Sequence, residues 1–298
     1  MTPEGQALVE AAAGLRGESL WRAALGRFSA NRAAMAGVLL LVAITAFAFV
    51  APLLSPHDME ANDWERIQIA PTTEQSHWFG TDANGRDLFV RVAAGARVSL
   101  AIGLITTLVS VVIGVLYGAI AGYAGGRTDQ VMMRIVDVLY ALPLFFAIII
   151  LVTVFGRNIF LVFLAIGAVE WLTIARIVRG QTLAAKQTEY VEAARSLGAP
   201  ASRVVLRHIV PNVVGPVIVF STLLVPTVIL VESFLSFLGL GVQEPQTSWG
   251  LLISQGTASL DSAPWLLVIP AAFLAATMFA FNFIGDGLRD ALDPRDES

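Results

Sequence analysis

The chain has no cysteine among its 298 residues, which excludes disulfides and thiolate-built metal sites. Charge is scarce: Asp, Glu, Lys and Arg make up 14% of the residues, against roughly 25% in soluble domains. The net charge of −4 gives no support to nucleic-acid binding. Histidine is limited to His57, His77 and His208, all outside the apolar runs and far apart in sequence. A histidine-built metal site is therefore not expected, and no catalytic, cofactor-binding or metal residue is assigned. Nor does the chain contain a Gly-x-x-x-x-Gly-Lys-[Ser/Thr] loop, so it has no phosphate cradle of that kind for driving work with a nucleotide.

What it has in quantity is apolar length. Hydrophobic residues make up 56% of the chain, and six runs with few or no charges reach the length needed to span a bilayer. The expected fold is an all-α polytopic membrane protein with six transmembrane helices. Residues 1–32 read as a cytoplasmic, partly helical segment, followed by a first span at 33–54 acting as an uncleaved anchor. An acidic connection over 55–97 reads as a structured extracytoplasmic loop, in which Gly80 and Asn84-Gly85 permit turns. Asp82 and Asp87 there can cap or pair with Arg86 and Arg91. Residues 98–286 form the five-helix remainder and 287–298 a polar tail.

Within the spans, Gly114, Gly118 and Gly122 fall on one face at four-residue spacing. That suits close helix packing more than a substrate path. Pro143 predicts a kink in the third span, 135–155. Asp137 sits about one turn inside it, three residues from Arg134, and either pairs with that arginine or has a functional role. Glu170 lies near the middle of the fourth span, 158–178, where an unpaired charge costs at least ~2.5 kcal/mol. The fifth span, from 212 to about 234, is interrupted by Pro216 and Pro226, and the sixth covers 265–285.

Between the fourth and fifth spans lies a polar stretch, 189–211. Glu189, Glu192 and Arg195 share one face at three-residue spacing, with Val191, Ala194 and Leu197 supplying small or apolar surface beside them. Gly198 can take φ > 0 and end a first short helix. Pro200 can open a second, and Pro211 can open the span that follows. The reading is two short helices joined by a bend and projecting from the membrane.

Glu192-Ala193-Ala194, Gly198 four residues on, His208 and Pro211 together resemble the loop that marks the membrane subunits of bacterial ABC importers. His208 resembles the dipeptide/oligopeptide branch, which also includes nickel permeases. Phe79, Gly80, Thr81, Asp82, Gly85, Arg86, Asp87, Gly95, Ala96, Arg97 and Ser99 are similar to the same family, as are Trp171, Ala175, Arg176, Val178 and Arg179. The run from Glu232 to Gly241 and Ser248-Trp249-Gly250 are also similar to it. Glu170 departs from the pattern.

The resemblance covers roughly residues 75–294 and implies a type I ABC importer permease fold. It implies that Tyr190, Glu192, Ala193, Ala194, Gly198, His208 and Pro211 dock on an ATPase. It further implies a second homologous permease subunit, two ATPase subunits that use ATP and magnesium, and an extracytoplasmic substrate-binding protein. The expected place is the bacterial inner membrane. Asp137, Glu170, Trp171 and Glu232 are the candidates for the translocation path, for peptides or for nickel or another small solute.

Orientation follows from the basic residues. With the N-terminus inside, the inner segments hold Arg16, Arg22, Arg27, Arg32, Arg127, Arg134, Arg176, Arg179, Lys186, Arg195, Arg203, Arg207, Arg289 and Arg295. The outer segments hold only Arg66, Arg86, Arg91, Arg97 and Arg157. Both termini and 189–211 are therefore expected in the cytoplasm. A secondary transporter would also use intramembrane acids, but it would not need the bent pair of helices. An ion channel would need a filter or charged ring that the chain does not show.

Overall fold

The structure, a computed structural model, describes residues 20–155 and 159–292. The outer parts of the expected N-terminal segment and tail, and the start of the fourth span, lie outside the described residues. Ten helices follow one another among those described: α1 Leu20–Ala30, α2 Arg32–Leu54, α3 Leu88–Ala124, α4 Gly126–Ala141, α5 Leu144–Phe155, α6 Ile159–Ala185, α7 Glu189–Ser196, α8 Ala201–Phe237, α9 Trp249–Thr257 and α10 Trp265–Leu292. The only strand-like feature among these residues is an isolated bridge between Thr81 and Asp87.

Helices α2, α3, α8 and α10 are each long and apolar enough to cross a membrane. The other two expected spans take different forms. The kink expected at Pro143 is a full break between α4 and α5. Leu142 is extended there (φ −70°, ψ 133°), because proline disfavours the helical region for the residue before it and has no N–H to continue the ladder. The fourth expected span is α6, which continues past Val178 to Ala185 and carries Arg176 and Arg179 with it.

The second span also starts earlier than the apolar run suggests. Asp87 Oδ1 accepts from the Val90 N–H at 2.9 Å and caps α3, so Leu88–Arg97 belong to the helix and not to the loop. At 37 residues, α3 is about 55 Å long, well beyond the ~30 Å hydrocarbon layer. It is the hub of the fold. Leu88, Val92, Ala96 and Leu100 pack with α2, α9 and α10; Ile102 packs with α5, α6 and α8; and Ala119 packs with α6, α7 and α8.

Outward faces such as Leu39, Leu104, Leu108, Val112 and Phe279 remain exposed, as lipid-facing surface requires. Helix α1 meets the end of α10 where Arg27 Nε and Nη2 donate to the Ala291 carbonyl at 3.0 and 2.8 Å.

The glycine stripe on α3 packs against α6. A Cβ on Gly114 would come within 2.6 Å of Ile174 Cβ, and one on Gly122 within 2.8 Å of Thr182 Cβ. A Cβ on Gly118 would meet the Ala175 carbonyl, which is backbone and cannot turn aside. The expected result is that Gly118→Val lowers the thermal unfolding midpoint of the detergent-solubilised protein. The overpacking cost is roughly 1–3 kcal/mol. An unchanged midpoint would show that the α3–α6 contact yields freely.

Candidate functional site

The polar stretch between α6 and α8 is built from its anchors upward. At the end of α6, Lys186 Nζ donates to the Tyr123 carbonyl at 2.6 Å, tying this turn to the end of α3. The Thr188 carbonyl accepts from the Val191 and Glu192 N–H groups and opens α7. Glu189 and Glu192 occupy its first turn and Arg195 its last, the order that complements the helix dipole. Val191 is fully buried with Ala119, Ile174, Val178, Val204 and Ile209. The opposite face is bare: Tyr190 is 44% exposed and Leu197 88% exposed, and Glu192, Ala193 and Arg195 are exposed beside them.

The helix ends as its sequence anticipates. Gly198 adopts φ +79°. Its N–H bonds to the Arg195 carbonyl at 2.9 Å and the Ala199 N–H to the Ala194 carbonyl at 3.1 Å. These two bonds make a Schellman termination, which requires a left-handed residue at this position.

The second helix of the pair is not separate, and this corrects the sequence reading. It begins after Pro200 (φ −67°, ψ 151°) and runs without a break into the fifth span as α8. Pro211 therefore opens no new helix. It sits just after a π-helical turn at Val205–Ile209, where the Val210 N–H reaches back five residues to the Val205 carbonyl. A widened turn accommodates a proline that cannot donate and whose ring crowds the preceding turn. His208 lies within this turn and is half-buried.

Two ion pairs join α4 to α6. Arg179 Nε and Nη2 each lie 2.5 Å from a carboxylate oxygen of Asp129, a bidentate fork. Arg176 Nη2 donates to Asp137 Oδ1 at 2.9 Å, and its guanidinium lies 4.3 Å from the centroid of the Tyr140 ring. The partner of Asp137 is therefore Arg176 on a neighbouring helix, not Arg134 on its own.

The four candidate path residues are scattered. Asp137 is exposed on α4 and paired as described. Glu170 is half-buried on α6 and makes no side-chain hydrogen bond among the described residues. Trp171 Nε1 donates to the Ala168 carbonyl at 2.9 Å, and its ring stands edge-on to Tyr117 with centroids 4.9 Å apart. Glu232 is fully buried on α8. Its Oε1 accepts from Ser236 Oγ at 2.6 Å and Ser248 Oγ at 2.8 Å. No hydrogen bond or ion pair joins any of these four to another among the described residues.

At the opposite end of the bundle, the segment before α3 meets the loop around α9. Asp82 Oδ2 accepts from Arg86 Nε at 2.8 Å and is paired with the buried Arg91. Arg86 Nη2 and Gln255 Nε2 both donate to Glu244 Oε1 at 2.9 Å. The hydrogen bond from the Arg86 guanidinium holds the Glu244 carboxyl below its ordinary range. The pairing of Asp82 was legible from spacing, but Glu244 and Gln255 lie more than 150 residues away and carried no such signal. The histidines expected to stand apart also meet here, His57 stacking on His77.

Comparison with known proteins places this architecture. Residues 114–296 match the family described as binding-protein-dependent transport system inner membrane components. Residues 19–71 match the N-terminal transmembrane domain of oligopeptide transport permease C. The chain is 56% identical over 282 residues to the oligopeptide transport system permease protein of Haemophilus influenzae, covering 95% of this chain and 91% of that one. It is 56% identical to the Escherichia coli K12 protein of the same name, over 95% of this chain and 93% of that one. The Bacillus subtilis counterpart is 47% identical over 93% of this chain and 90% of its own length. The chain thus belongs to the inner membrane components of binding-protein-dependent transport systems, with the multi-pass helical permease fold of that family.

Proposed function

We propose that the chain is one of two homologous permease subunits of an ATP-driven peptide importer, with α7 and the start of α8 docking on separate ATPase subunits that use ATP and magnesium. The observation that carries this reading is the tip of α7. Leu197, 88% exposed, stands beside the exposed Tyr190, Glu192, Ala193 and Arg195, and an apolar knob with a charged rim at a capped helix end suits a partner's groove. The small residues Ala193 and Ala194 let that partner approach.

The distribution of arginine and lysine supports a cytoplasmic location for both termini and α7, on the side where ATP is. The loop network around Arg86 and Glu244 then faces outward, toward the substrate-binding protein. Relatives named for oligopeptide and dipeptide transport support a peptide substrate. ATP-driven closure of the ATPase pair shifts the permease between inward- and outward-open states only by its differential affinity for the two. Asp137, Glu170, Trp171 and Glu232 remain candidates for the path, though the burial of Glu232 favours a scaffold role.

The test uses the assembled complex. Leu197→Asp is expected to remove most of the co-purifying ATPase while leaving the chain inserted, and undiminished co-elution would rule out the docking role. Because the chain lacks cysteine, Ser196→Cys supplies a single reporter. Labelling of that thiol by a membrane-impermeant reagent in intact cells would overturn the orientation. Uptake that survives ATP depletion in proton-energised vesicles would favour a secondary transporter.

A further inference from the structure

Three residues distant in sequence converge outside the spans. His57 follows α2, His77 lies in the connection, and Asp87 caps α3; their ligand-capable atoms all lie within 4.8 Å of one another. His77 is 3% exposed, and its Nδ1 lies 2.8 Å from Asp87 Oδ2. A carboxylate accepts, so Nδ1 carries a proton, and in the neutral imidazole Nε2 then carries the lone pair. That Nε2 is buried and has no hydrogen-bond partner among the described residues. An imidazole fixed by a carboxylate on one nitrogen, with the other left as a bare donor, is the arrangement of metal-ligating histidines.

His57 lies over it, ring centroids 4.1 Å apart at 11°. Its Nε2 is 2.8 Å from the Gln75 carbonyl, a further oxygen donor at the same place. That carbonyl is brought in by a turn in which Gln75 and Ser76 hold φ of 62° and 63°.

We infer that this cluster binds one divalent transition-metal ion of the zinc class, through His77 Nε2 and a ring nitrogen of His57, with Asp87 orienting His77. Two imidazoles select zinc, cobalt, nickel or copper over magnesium and calcium, which prefer all-oxygen sites. As they stand, the ring planes are 11° from parallel, so the lone pairs lie in two stacked planes and do not converge on one point. Nitrogens sharing one zinc ion at ~2.1 Å stand roughly 3.4 Å apart, so binding requires one ring to turn. His57 is the one with room to do so: it is half-buried, and turning gives up a single hydrogen bond, to the Gln75 carbonyl. His77 stays, held by Asp87. The bound ion would staple the chain just past α2 to the start of α3, clamping the outer connection at its base. This inference is independent of the transport reading and can fail without affecting it.

The experiment uses the assembled transporter carrying an affinity tag without histidines, equilibrated with Zn²⁺, dialysed and counted by elemental mass spectrometry. The wild type is expected to retain one more zinc per copy of this chain than His57→Ala or His77→Gln. Co²⁺ in place of Zn²⁺ should give a visible absorption band that both variants lose. Equal zinc contents in the wild type and His57→Ala would overturn the proposal. Should His77→Gln fail to fold, His57→Ala decides alone, because its side chain makes only the ring stack and the Gln75 contact.

Discussion

Gly198→Val abolishes substrate uptake and leaves membrane insertion intact. A Cβ at this position meets nothing within 4 Å, so no packing clash contributes. The whole effect comes from the backbone, held at φ +79°, where an L-residue costs roughly 1–2 kcal/mol and a β-branched one is a severe outlier. The local chain relieves that strain by abandoning the Schellman termination. The two bonds from Gly198 and Ala199 then break, and α7 loses its fixed angle to α8.

The apolar knob at Leu197 is adjacent to the altered residue, so a small rotation there displaces the proposed docking surface. Hydrocarbon burial of the spans is untouched, which is why insertion persists. Gly198→Asn is the control: asparagine tolerates the left-handed region and is expected to retain much of the uptake. The measurement is ATP-driven uptake in vesicles beside the amount of inserted chain. Wild-type uptake by the valine variant would mean that the bend plays no part in transport.

The same residue shows what the sequence could disclose. The bend at Gly198-Ala199-Pro200 was legible because it depends on local backbone chemistry, and so was the stripe of Gly114, Gly118 and Gly122, whose period matches a helix face. Long apolar runs likewise located α2, α3, α8 and α10. The continuity of α8 was hidden, since a proline at 211 reads as a helix start when the alternative is a π-turn stabilised by tertiary packing.

Pairings between helices were hidden for a different reason. Arg134 is the neighbour of Asp137 by spacing, but the pair that forms depends on α4 lying beside α6, and no periodicity records that adjacency. The meeting of His57 with His77, and the reach of Arg86 to Glu244, are likewise products of topology. Turns and helix faces set by local backbone chemistry are therefore readable from sequence, whereas the choice of a side chain's partner needs the fold.

Glu232→Ala lowers the unfolding midpoint by the equivalent of roughly 2–6 kcal/mol, because it leaves two buried hydroxyls without their acceptor at ~1–3 kcal/mol each. Ser236 is 1% exposed and Ser248 fully buried, so water cannot take the place of the carboxyl. Ser248 also accepts from the Leu251 N–H at 3.1 Å and caps α9, and Trp249 behind it donates through its backbone N–H to Ser99 Oγ at 3.2 Å. Glu232 thus fastens α9 to α8, and α8 is one continuous helix of 37 residues from Ala201, at the proposed docking end. Movement imposed at Ala201 can reach α9 at the opposite end of the bundle through this single element, with Pro216 and Pro226 as its only prolines past Pro211.

Glu232→Gln keeps a carbonyl oxygen for the two serines and is expected to recover most of the lost stability. A path residue that acts by charge would give the opposite order, with Gln as damaging to uptake as Ala and neither affecting unfolding. Measuring both quantities on both variants separates the two roles. If alanine leaves the midpoint unchanged, the link between α8 and α9 does not depend on Glu232.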